Sequence, residues 1–253
     1  MRLDEQAAIV TGGASGLGAA TALRLARAGC RVAVLDIDVG AAEAGAQRIG
    51  GLGIGCDVAQ AASAEAAVAK AREAHGPARL LVNCAGVGTA GRIVGRDGPM
   101  ALTAFERVIH INLVGSFNLL RLAAADMSTL APLEDGERGV IVNTASIAAY
   151  EGQVGQAAYA ASKAGVIGMT LPAARELARV GVRVVTIAPG LFHTPMVEGL
   201  SVEIQRSLAE GVPFPQRLGS SEEFAALVEH IAINRYLNGD TIRLDGALRM
   251  PPR

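Results

Sequence analysis

Residues 7–18 read Ala-Ala-Ile-Val-Thr-Gly-Gly-Ala-Ser-Gly-Leu-Gly. The apolar run at 7–11 is typical of a buried strand, and the glycines after it lead directly into an alanine- and leucine-rich pattern with helical spacing. A strand, a tight glycine turn and a helix are the first half of a βαβ unit. The segment therefore predicts an α/β fold whose parallel sheet contains residues 7–11.

The same alternation of apolar runs and helical patterns continues along the chain. Further strands are predicted at 31–36, 53–57, 80–84, 140–145, 183–188 and 241–244, and helices near 16–28, 40–49, 62–75, 103–130, 157–180 and 221–234. Several runs are apolar at every position, as in a parallel sheet that is covered on both faces. We predict a single domain over residues 1–253, a doubly wound Rossmann-type α/β fold with a seven-stranded parallel sheet and helices on both faces.

Two long segments interrupt the alternation, and each follows the end of a predicted strand. The segment 87–102 is rich in glycine, and 189–219 carries Pro189, Pro195, Pro213 and Pro215. Because ligands bind at the carboxyl ends of the strands in open α/β sheets, we expect 87–102 to form a substrate wall and 189–219 a substrate lid. A variable surface insertion is the alternative interpretation of each segment.

Composition excludes several classes of protein. The chain has 253 residues, of which 51% are hydrophobic and 19% charged, as in a globular domain. Its 23 basic and 24 acidic residues give a net charge of -1, and it contains no tryptophan. The charge balance gives no positive field for a polyanion, and eight other aromatic residues offer little material for base stacking. We expect a small-molecule substrate and no nucleic acid.

The cysteines and histidines do not form metal-binding patterns. Cys30, Cys56 and Cys84 are far apart in sequence, which predicts buried thiols in a reducing compartment rather than zinc ligands or disulfides. The four histidines are also scattered: His75, His110, His193 and His230. The first apolar run is too short for a secretory core or a membrane span. We expect no metal, no membrane and a cytoplasmic location.

The glycine turn itself predicts a nucleotide site. Gly12, Gly16 and Gly18 let the backbone turn tightly and approach a pyrophosphate, whose charge the free N–H groups at the helix start stabilise. A tight strand-to-helix connection also favours glycine for steric reasons alone, which is the alternative interpretation.

Asp36 ends the second predicted strand, where a carboxylate can accept hydrogen bonds from the hydroxyls of an adenosine ribose. Asp38 adds a second negative charge, and residues 37–40 contain no Lys or Arg. A 2′-phosphate would be repelled there, so NAD is favoured over NADP. The alternative is that Asp36 only caps the following helix. Asp57 and Val58 end the third strand, where the adenine ring would lie.

The polar residues at 146, 159 and 163 predict the reacting end. Ser146 follows a buried strand, and Tyr159 and Lys163 are four residues apart, on one face of a predicted helix. A tyrosine in water has a pKa of about 10, and making it a base at neutral pH takes roughly 4 kcal/mol, which a nearby ammonium and a nicotinamide charge can supply. We expect Tyr159 to exchange a proton with a hydroxyl or carbonyl that Ser146 holds. Taken singly, each residue also fits an ordinary surface pair or turn.

In these motifs the chain resembles the short-chain dehydrogenase/reductase family along essentially its whole length. The family's order and spacing are found in the following residues: Thr11-Gly12-x-x-x-Gly16-x-Gly18, Asn83-Cys84-Ala85-Gly86, Asn112, Ser146, Tyr159-x-x-x-Lys163 and Pro189-Gly190. The resemblance implies that Tyr159 is the catalytic acid/base and that Ser146 orients the substrate. It implies that Lys163 binds the cofactor ribose and lowers the pKa of the tyrosine. Asn112 would help to hold a water that links Lys163 to solvent.

A narrower resemblance, to the type-2 3-hydroxyacyl-CoA dehydrogenase subgroup (17β-hydroxysteroid dehydrogenase type 10), lies in residues 143–156, 212–219 and 237–250. It implies a homotetramer in which Gln153 lines the substrate site. His193 and Tyr150 stand where that subgroup is expected to have glycine and phenylalanine. Together with the glycine turn and the strand ends, the two resemblances imply these cofactor-binding residues: Gly12, Ser15, Gly16, Leu17, Gly18, Asp36, Asp57, Val58, Cys84, Gly86, Tyr159, Lys163, Pro189, Phe192 and Thr194.

The function that these resemblances imply is NAD-dependent interconversion of a secondary alcohol and a ketone, with 3-hydroxyacyl-CoA and 3-oxoacyl-CoA as the substrate pair. A 3-oxoacyl carrier-protein reductase and a hydroxysteroid dehydrogenase of the same fold are alternatives. A non-catalytic dinucleotide-binding scaffold is an alternative of another class.

Overall fold

The structure, a computed structural model, describes residues 1–96, 98–194, 197, 199 and 201–252. Its centre is a seven-stranded parallel sheet with the strand order β3-β2-β1-β4-β7-β8-β9. The strands of this sheet are β1 Ala7–Thr11, β2 Arg31–Asp36, β3 Leu52–Gly55, β4 Leu80–Asn83, β7 Gly139–Thr144, β8 Val182–Pro189 and β9 Thr241–Leu244. The predicted fold class is confirmed, and the predicted strand ends are within two residues of the observed ones.

Helices cover both faces of the sheet. They are α1 Gly16–Arg27, α2 Val39–Arg48, α3 Ala61–His75, α4 Leu102–Ile109, α5 Gly115–Ser128, α6 Ala157–Leu177, α7 Val202–Glu210 and α8 Ser221–Ile233. Two strands and one helix among the described elements were not predicted. A small antiparallel pair, β5 Val94–Gly95 with β6 Gly98–Pro99, lies in the 87–102 segment, and α7 lies in the segment predicted as a lid.

The two covered faces explain why the strands are mostly apolar. On β1, Ala8 and Val10 belong to the core cluster on one face of the sheet, and Ala7 and Ile9 to the cluster on the other. The first cluster includes Phe224 of α8, and the second includes side chains of α3 and α5. Since successive residues of a strand point to opposite faces, a strand buried on both sides favours apolar side chains at most positions.

The predicted helix 103–130 consists of three parts. A π-helical turn, His110–Val114, joins α4 to α5. By length and composition, the continuous stretch Leu102–Ser128 could cross a membrane, but half of its most apolar 18-residue window is buried inside the protein. The buried side includes Leu119 and Met127, which pack against the sheet, as in a core helix of a globular domain.

The segment predicted as a lid begins and ends against the rest of the fold. Pro195, Met196, Glu198 and Leu200, which belong to that prediction, lie outside the described residues. Phe192 forms a β-bridge with Gly219, which brings the two ends of the segment together. Helix α8 begins at Ser221, two residues after Gly219, so the start of this helix fixes the position of the Gly219 end.

The start of α8 is held by a capping box. The Ser220 hydroxyl accepts a hydrogen bond from the Glu223 N–H at 3.4 Å, and the Ser220 N–H donates to the Glu223 carboxylate at 2.8 Å. Glu223 also accepts two hydrogen bonds from Arg217, at 2.9 and 2.8 Å. These contacts, that with Arg217 above all, lower the pKa of Glu223 to about 2. The carboxylate that anchors the segment is therefore charged at any physiological pH.

Replacing Ser220 with alanine removes one half of this box. We expect Ser220→Ala to lower the free energy of unfolding by about 1 kcal/mol, because one N–H of the first turn loses its acceptor. Urea unfolding followed by circular dichroism measures the change. Ser128→Ala, at the exposed end of α5, is the control and is expected to change stability by less than about 0.5 kcal/mol. Equal effects of the two substitutions would contradict the capping role.

Candidate active site

A cavity of about 1110 Å³ opens at the carboxyl ends of the parallel strands. The chain reverses its direction across the sheet between β1 and β4, and in doubly wound sheets this switch point is where ligands bind. The sequence-predicted residues that line the cavity are Gly12, Ser15, Gly16, Leu17, Gly18, Asp36, Asp57, Val58, Cys84, Gly86, Ser146, Tyr159, Lys163, Pro189, Phe192 and Thr194. Asn112 and Gln153 are predicted site residues that do not line it.

The glycine turn after β1 is packed too closely for side chains. Gly12 has a φ of +59°, and a Cβ on it would lie 2.8 Å from backbone atoms of Ala85. A Cβ on Gly18 would overlap the carbonyl oxygen of Gly12. Glycine is therefore required here both by conformation and by the close approach of the β4 end.

Helix α1 begins in this turn with its N–H groups facing the cavity end. Its N-cap residue, Ser15, makes no side-chain capping hydrogen bond, and the first turn contains no acidic residue. The N–H groups of a first helical turn have no partners within the helix, and the helix dipole adds positive charge there. This helix start therefore fits the phosphate groups of a dinucleotide.

Asp36 and Asp38 have separate roles at the end of β2. The Asp36 carboxylate faces the cavity and accepts hydrogen bonds from the N–H groups of Ala14 and Asp38, both at 3.2 Å. The N-cap of α2 is Asp38, whose carboxylate accepts from the Ala41 N–H at 3.0 Å. The helix-capping alternative for Asp36 is therefore wrong, and its carboxylate keeps lone pairs that can accept from a ligand hydroxyl.

The ends of β3 and β4 form the next part of the wall. Asp57 accepts a hydrogen bond from the Ala59 N–H at 3.0 Å, which fixes the turn in which Val58 lines the cavity. Behind it, a Cβ on Gly115 would lie 2.6 Å from the Val58 side chain, so the helix passes close beneath this wall. An apolar side chain on a rigid turn is suited to contact a flat aromatic base.

The reacting end is assembled from β7 and α6. Ser146 follows β7 and is the N-cap of a 3-10 turn, where its hydroxyl accepts from the Ala148 N–H at 3.1 Å. Lys163 reaches from α6 to the last residue of β7, and its ammonium donates to the Thr144 carbonyl at 2.7 Å. Tyr159 lies one helical turn before Lys163, whose Nζ is 5.8 Å from the centroid of the tyrosine ring. Three of the four predicted catalytic side chains thus meet in one corner of the cavity, and the fourth, Asn112, does not line it.

Burial changes the proton affinities of Lys163 and Tyr159 in opposite directions. Removal of the ammonium from water lowers the pKa of Lys163 to about 8. Burial raises the pKa of Tyr159 above its ordinary value, and its interaction with the Ser146 hydroxyl lowers it by less. Lys163 is not among the causes of this shift, and the predicted lowering of the Tyr159 pKa by Lys163 together with a nicotinamide charge stays a prediction. The ammonium is engaged with the Thr144 carbonyl, and desolvation of the phenolate is the larger effect.

Asn112 lies behind the cavity wall in the π-helical turn. It is fully buried, and its side chain accepts from the Val87 N–H at 2.8 Å and donates to the Val87 carbonyl and the Ser162 hydroxyl, both at 3.0 Å. Its backbone carbonyl accepts from the Ser116 hydroxyl at 2.7 Å. The side chain thus ties the loop after β4 to α6. A water ligand at Asn112 stays a prediction.

Gln153 lies outside the cavity lining. Its side-chain N–H donates to the Pro251 carbonyl at 3.1 Å, and its backbone N–H donates to the Gln156 side chain at 3.0 Å. Gln156 and Met250 line the cavity instead. The loop that carries Gln153 thus reaches the cavity through Gln156, three residues later, and contact of Gln153 with a substrate stays a prediction.

Several lining residues were not predicted. They include Thr144, Arg107, His110, Ile111, Leu191 and Met250. Only Thr144 had a usable signal, because it is the last polar residue of an apolar strand. The others lie on helices or in loops where sequence patterns do not say which side chain points inward. Among the described residues, no cluster of three His, Cys, Asp or Glu side chains is placed to bind a metal ion.

A close glycine cradle, an uncapped helix start and a carboxylate at the second strand fit a nicotinamide dinucleotide, and the Ser, Tyr and Lys side chains at the far end fit proton exchange with an alcohol or ketone. This combination defines a dinucleotide-dependent oxidoreductase of the doubly wound class. The chain belongs to the short chain dehydrogenase family, whose model matches residues 6–204.

Relatives along the whole chain carry a more specific name. A 3-hydroxyacyl-CoA dehydrogenase type-2 of Bos taurus is 50% identical over 252 residues, covering 97% of this chain and 95% of that protein. The protein of the same name from Drosophila melanogaster is 50% identical over 248 residues, covering 96% and 97%. The crystal structure of 3-hydroxyacyl-CoA dehydrogenase type-2 from Mycobacterium avium has a TM-score of 0.94 and 44% identity, and each chain covers 100% of the other.

The cavity also contains a thiol whose reactivity depends on pH. Cys84 is half-buried at the end of β4, and burial raises its pKa to about 11, although Thr144 and Lys163 oppose the effect. Fewer than about one thiol in a thousand is then ionised at pH 7.5.

We expect slow alkylation of Cys84 by iodoacetamide, with a rate that rises about tenfold per pH unit between pH 7 and 10. Mass spectrometry of the Cys84 peptide measures the rate, with free glutathione as the reference thiol. A rate that levels off below pH 9 would show that the thiol is more acidic.

Proposed function

We propose that the protein is an NAD-dependent dehydrogenase that interconverts 3-hydroxyacyl-CoA and 3-oxoacyl-CoA. The observation that carries the proposal is the meeting of Ser146, Tyr159 and Lys163 in the cavity that the glycine turn and Asp36 also line. The acyl-CoA substrate is supported by relatives of that name at about 50% identity. Those relatives do not favour a carrier-protein reductase, a hydroxysteroid dehydrogenase or a non-catalytic scaffold.

The proposal includes a cytoplasmic homotetramer. The three cysteines have free thiols, in keeping with a reducing compartment. Val114, Phe117 and Leu171 on the helical surface are 40%, 53% and 43% exposed, and apolar side chains of this size are commonly covered by another subunit.

The residues that would hold the cofactor are the glycine cradle with Ser15 and Leu17, the carboxylate of Asp36, and Lys163 at the nicotinamide ribose. When bound, the cofactor supplies the acceptor or donor of the hydride. The chain's own residues handle the proton: Tyr159 Oη accepts it from the substrate hydroxyl during oxidation and returns it during reduction. The Ser146 hydroxyl donates a hydrogen bond to the same substrate oxygen, which carries negative charge in the transition state.

Asp36 supports the choice of NAD. Its carboxylate stands at the cavity wall beside Asp38, and Ile37, Val39 and Gly40 offer no positive charge. A 2′-phosphate brought to this wall would meet one or two negative charges without compensation. A ribose hydroxyl would find an acceptor there.

Tyr159→Phe removes the proton-exchanging atom and keeps the ring. We expect kcat to fall by at least about 100-fold, the lower end of what a general acid or base contributes, while the Kd for NAD stays unchanged. Steady-state turnover of a 3-hydroxyacyl-CoA by NADH absorbance gives kcat, and isothermal titration gives the Kd. Turnover within a few-fold of the original protein would remove Tyr159 from the mechanism.

Asp36→Asn removes the charge at the β2 end and keeps its shape. We expect the ratio of kcat/KM for NADP to that for NAD to rise by about tenfold, which corresponds to about 1.4 kcal/mol of lost repulsion. Asp38→Asn is the matched control, because asparagine also caps a helix and the residue lies next to the wall without lining it. A larger change in the control than in Asp36→Asn would contradict the assignment of the ribose site to Asp36.

A further inference from the structure

Residues Leu248–Pro252, here named the 248–252 segment, lie against the loop that follows Ser146. The Val154 N–H donates to the Pro252 carbonyl at 3.1 Å, and the Gln153 side chain donates to the Pro251 carbonyl at 3.1 Å. Within the segment, Met250 lines the cavity. The segment is therefore part of the cavity wall, although it is distant in sequence from every catalytic residue.

Met250 belongs to the reacting end of the cavity. It packs against a small apolar cluster formed by Ile147, Val212 and Leu248. Ile147 is the neighbour of Ser146 in the chain, and the N–H of the next residue, Ala148, donates to the Ser146 hydroxyl. Met250 therefore lies on the part of the cavity wall that packs against Ile147, the residue next to Ser146.

Arg243 joins the 248–252 segment to the loop after Ser146. Its guanidinium makes a two-point contact with the Glu151 carboxylate, at 2.7 and 2.9 Å, and donates to the Leu248 carbonyl at 3.0 Å. It also donates to Asp245 at 2.7 Å and lies 4.9 Å above the centre of the Tyr150 ring. One side chain thus contacts the loop, the segment and its own strand end.

These contacts are stronger than those of an ordinary surface ion pair. The side chains of Arg243, Glu151 and Asp245 are 21%, 24% and 8% exposed, so solvent screens them only in part. Contact with Arg243 is the main cause of a lowered pKa of Glu151, which also accepts from the Met250 N–H. Arg249 adds a contact to Asp245 at 3.2 Å, but it is 59% exposed.

We propose that Arg243 is a positioning residue for substrate specificity: through Glu151 and Leu248 it fixes Met250 in the wall beside Ser146, and Met250 limits the bulk of the group carried by the reacting carbon. The proposal rests on the proposed function, in which that group is an acyl chain. It assigns a role to a residue that touches neither substrate nor cofactor.

A merely structural role for Arg243 predicts a different result. Loss of stability alone lowers the amount of active protein and changes kcat/KM equally for all substrates. A displaced wall changes kcat/KM according to the length of the acyl chain, because the pocket discriminates methylene groups by contact. The dependence of kcat/KM on acyl-chain length therefore separates a positioning role of Arg243 from a merely structural one.

The test compares Met250→Ala, Arg243→Lys and a control, Arg72→Lys. Lysine keeps the charge of Arg243 and loses its two-point contact. Arg72 pairs with Asp126 at 2.7 Å on the surface between α3 and α5, outside the cavity lining. The substrates are short-, medium- and long-chain 3-hydroxyacyl-CoA thioesters with NAD. Hydrogen exchange at the Val154 and Met250 amides, followed without substrate, reports on the wall itself.

We expect Met250→Ala and Arg243→Lys each to raise kcat/KM for the long-chain relative to the short-chain thioester by at least about fivefold, with the KM for NAD unchanged. Arg243→Lys is also expected to speed exchange at both amides, and Arg72→Lys to change neither property. An equal change for all chain lengths, or faster exchange with an unchanged chain-length profile, overturns the proposal. If the original protein oxidises no thioester, the proposed function fails. The same ratio is then taken over secondary alcohols of graded bulk that the protein does oxidise, and an unchanged ratio overturns the role of Arg243.

Discussion

The reacting end depends on one buried hydrogen bond, from the Lys163 ammonium to the Thr144 carbonyl at 2.7 Å. An ammonium that is removed from water is costly unless it finds an acceptor, so this contact ties α6 to the carboxyl end of β7. The strand then delivers Ser146 just beyond its last residue, and the helix delivers Tyr159 one turn before the lysine. The mutual position of the two hydroxyls is thus set by secondary structure and one ion-dipole contact, and flexible loops contribute little to it.

Gly86 connects this corner to the nucleotide end. A Cβ on Gly86 would lie 3.2 Å from the Asn112 side-chain oxygen and 3.5 Å from the Lys163 nitrogen. The loop after β4 can therefore pass close to the lysine. Asn112 holds the loop there through hydrogen bonds with the backbone N–H and carbonyl of Val87. Because β4 lies next to β1 across the switch point, the same loop also meets the Gly12 turn. Gly86 beside Lys163 and Gly12 beside Ala85 thus allow the nucleotide end and the reacting end to form one continuous cavity.

Sequence reasoning predicted the features that depend on periodicity and failed where burial or orientation decides. Strands buried on both faces can be recognised in the sequence as apolar runs. The four-residue spacing of Tyr159 and Lys163 places both on one helical face, which follows from helix geometry. Helix 202–210 was missed because it lies in a proline-containing segment with many polar residues. The sequence did not show that Gln156 lines the cavity, because a loop gives no rule for which side chain points inward. The pKa of Tyr159 is raised because the phenol is buried, and the spacing of residues in a sequence does not reveal burial.

The opposite effects of burial on the two groups have a chemical consequence. In water a lysine ammonium and a tyrosine phenol hold their protons about equally tightly. In the site the pKa of Lys163 falls to about 8 and that of Tyr159 rises, so the lysine becomes the stronger acid. Tyr159 therefore keeps its proton at neutral pH, which is the form that can donate to a ketone oxygen. Oxidation of an alcohol releases a proton, so a higher pH favours that direction.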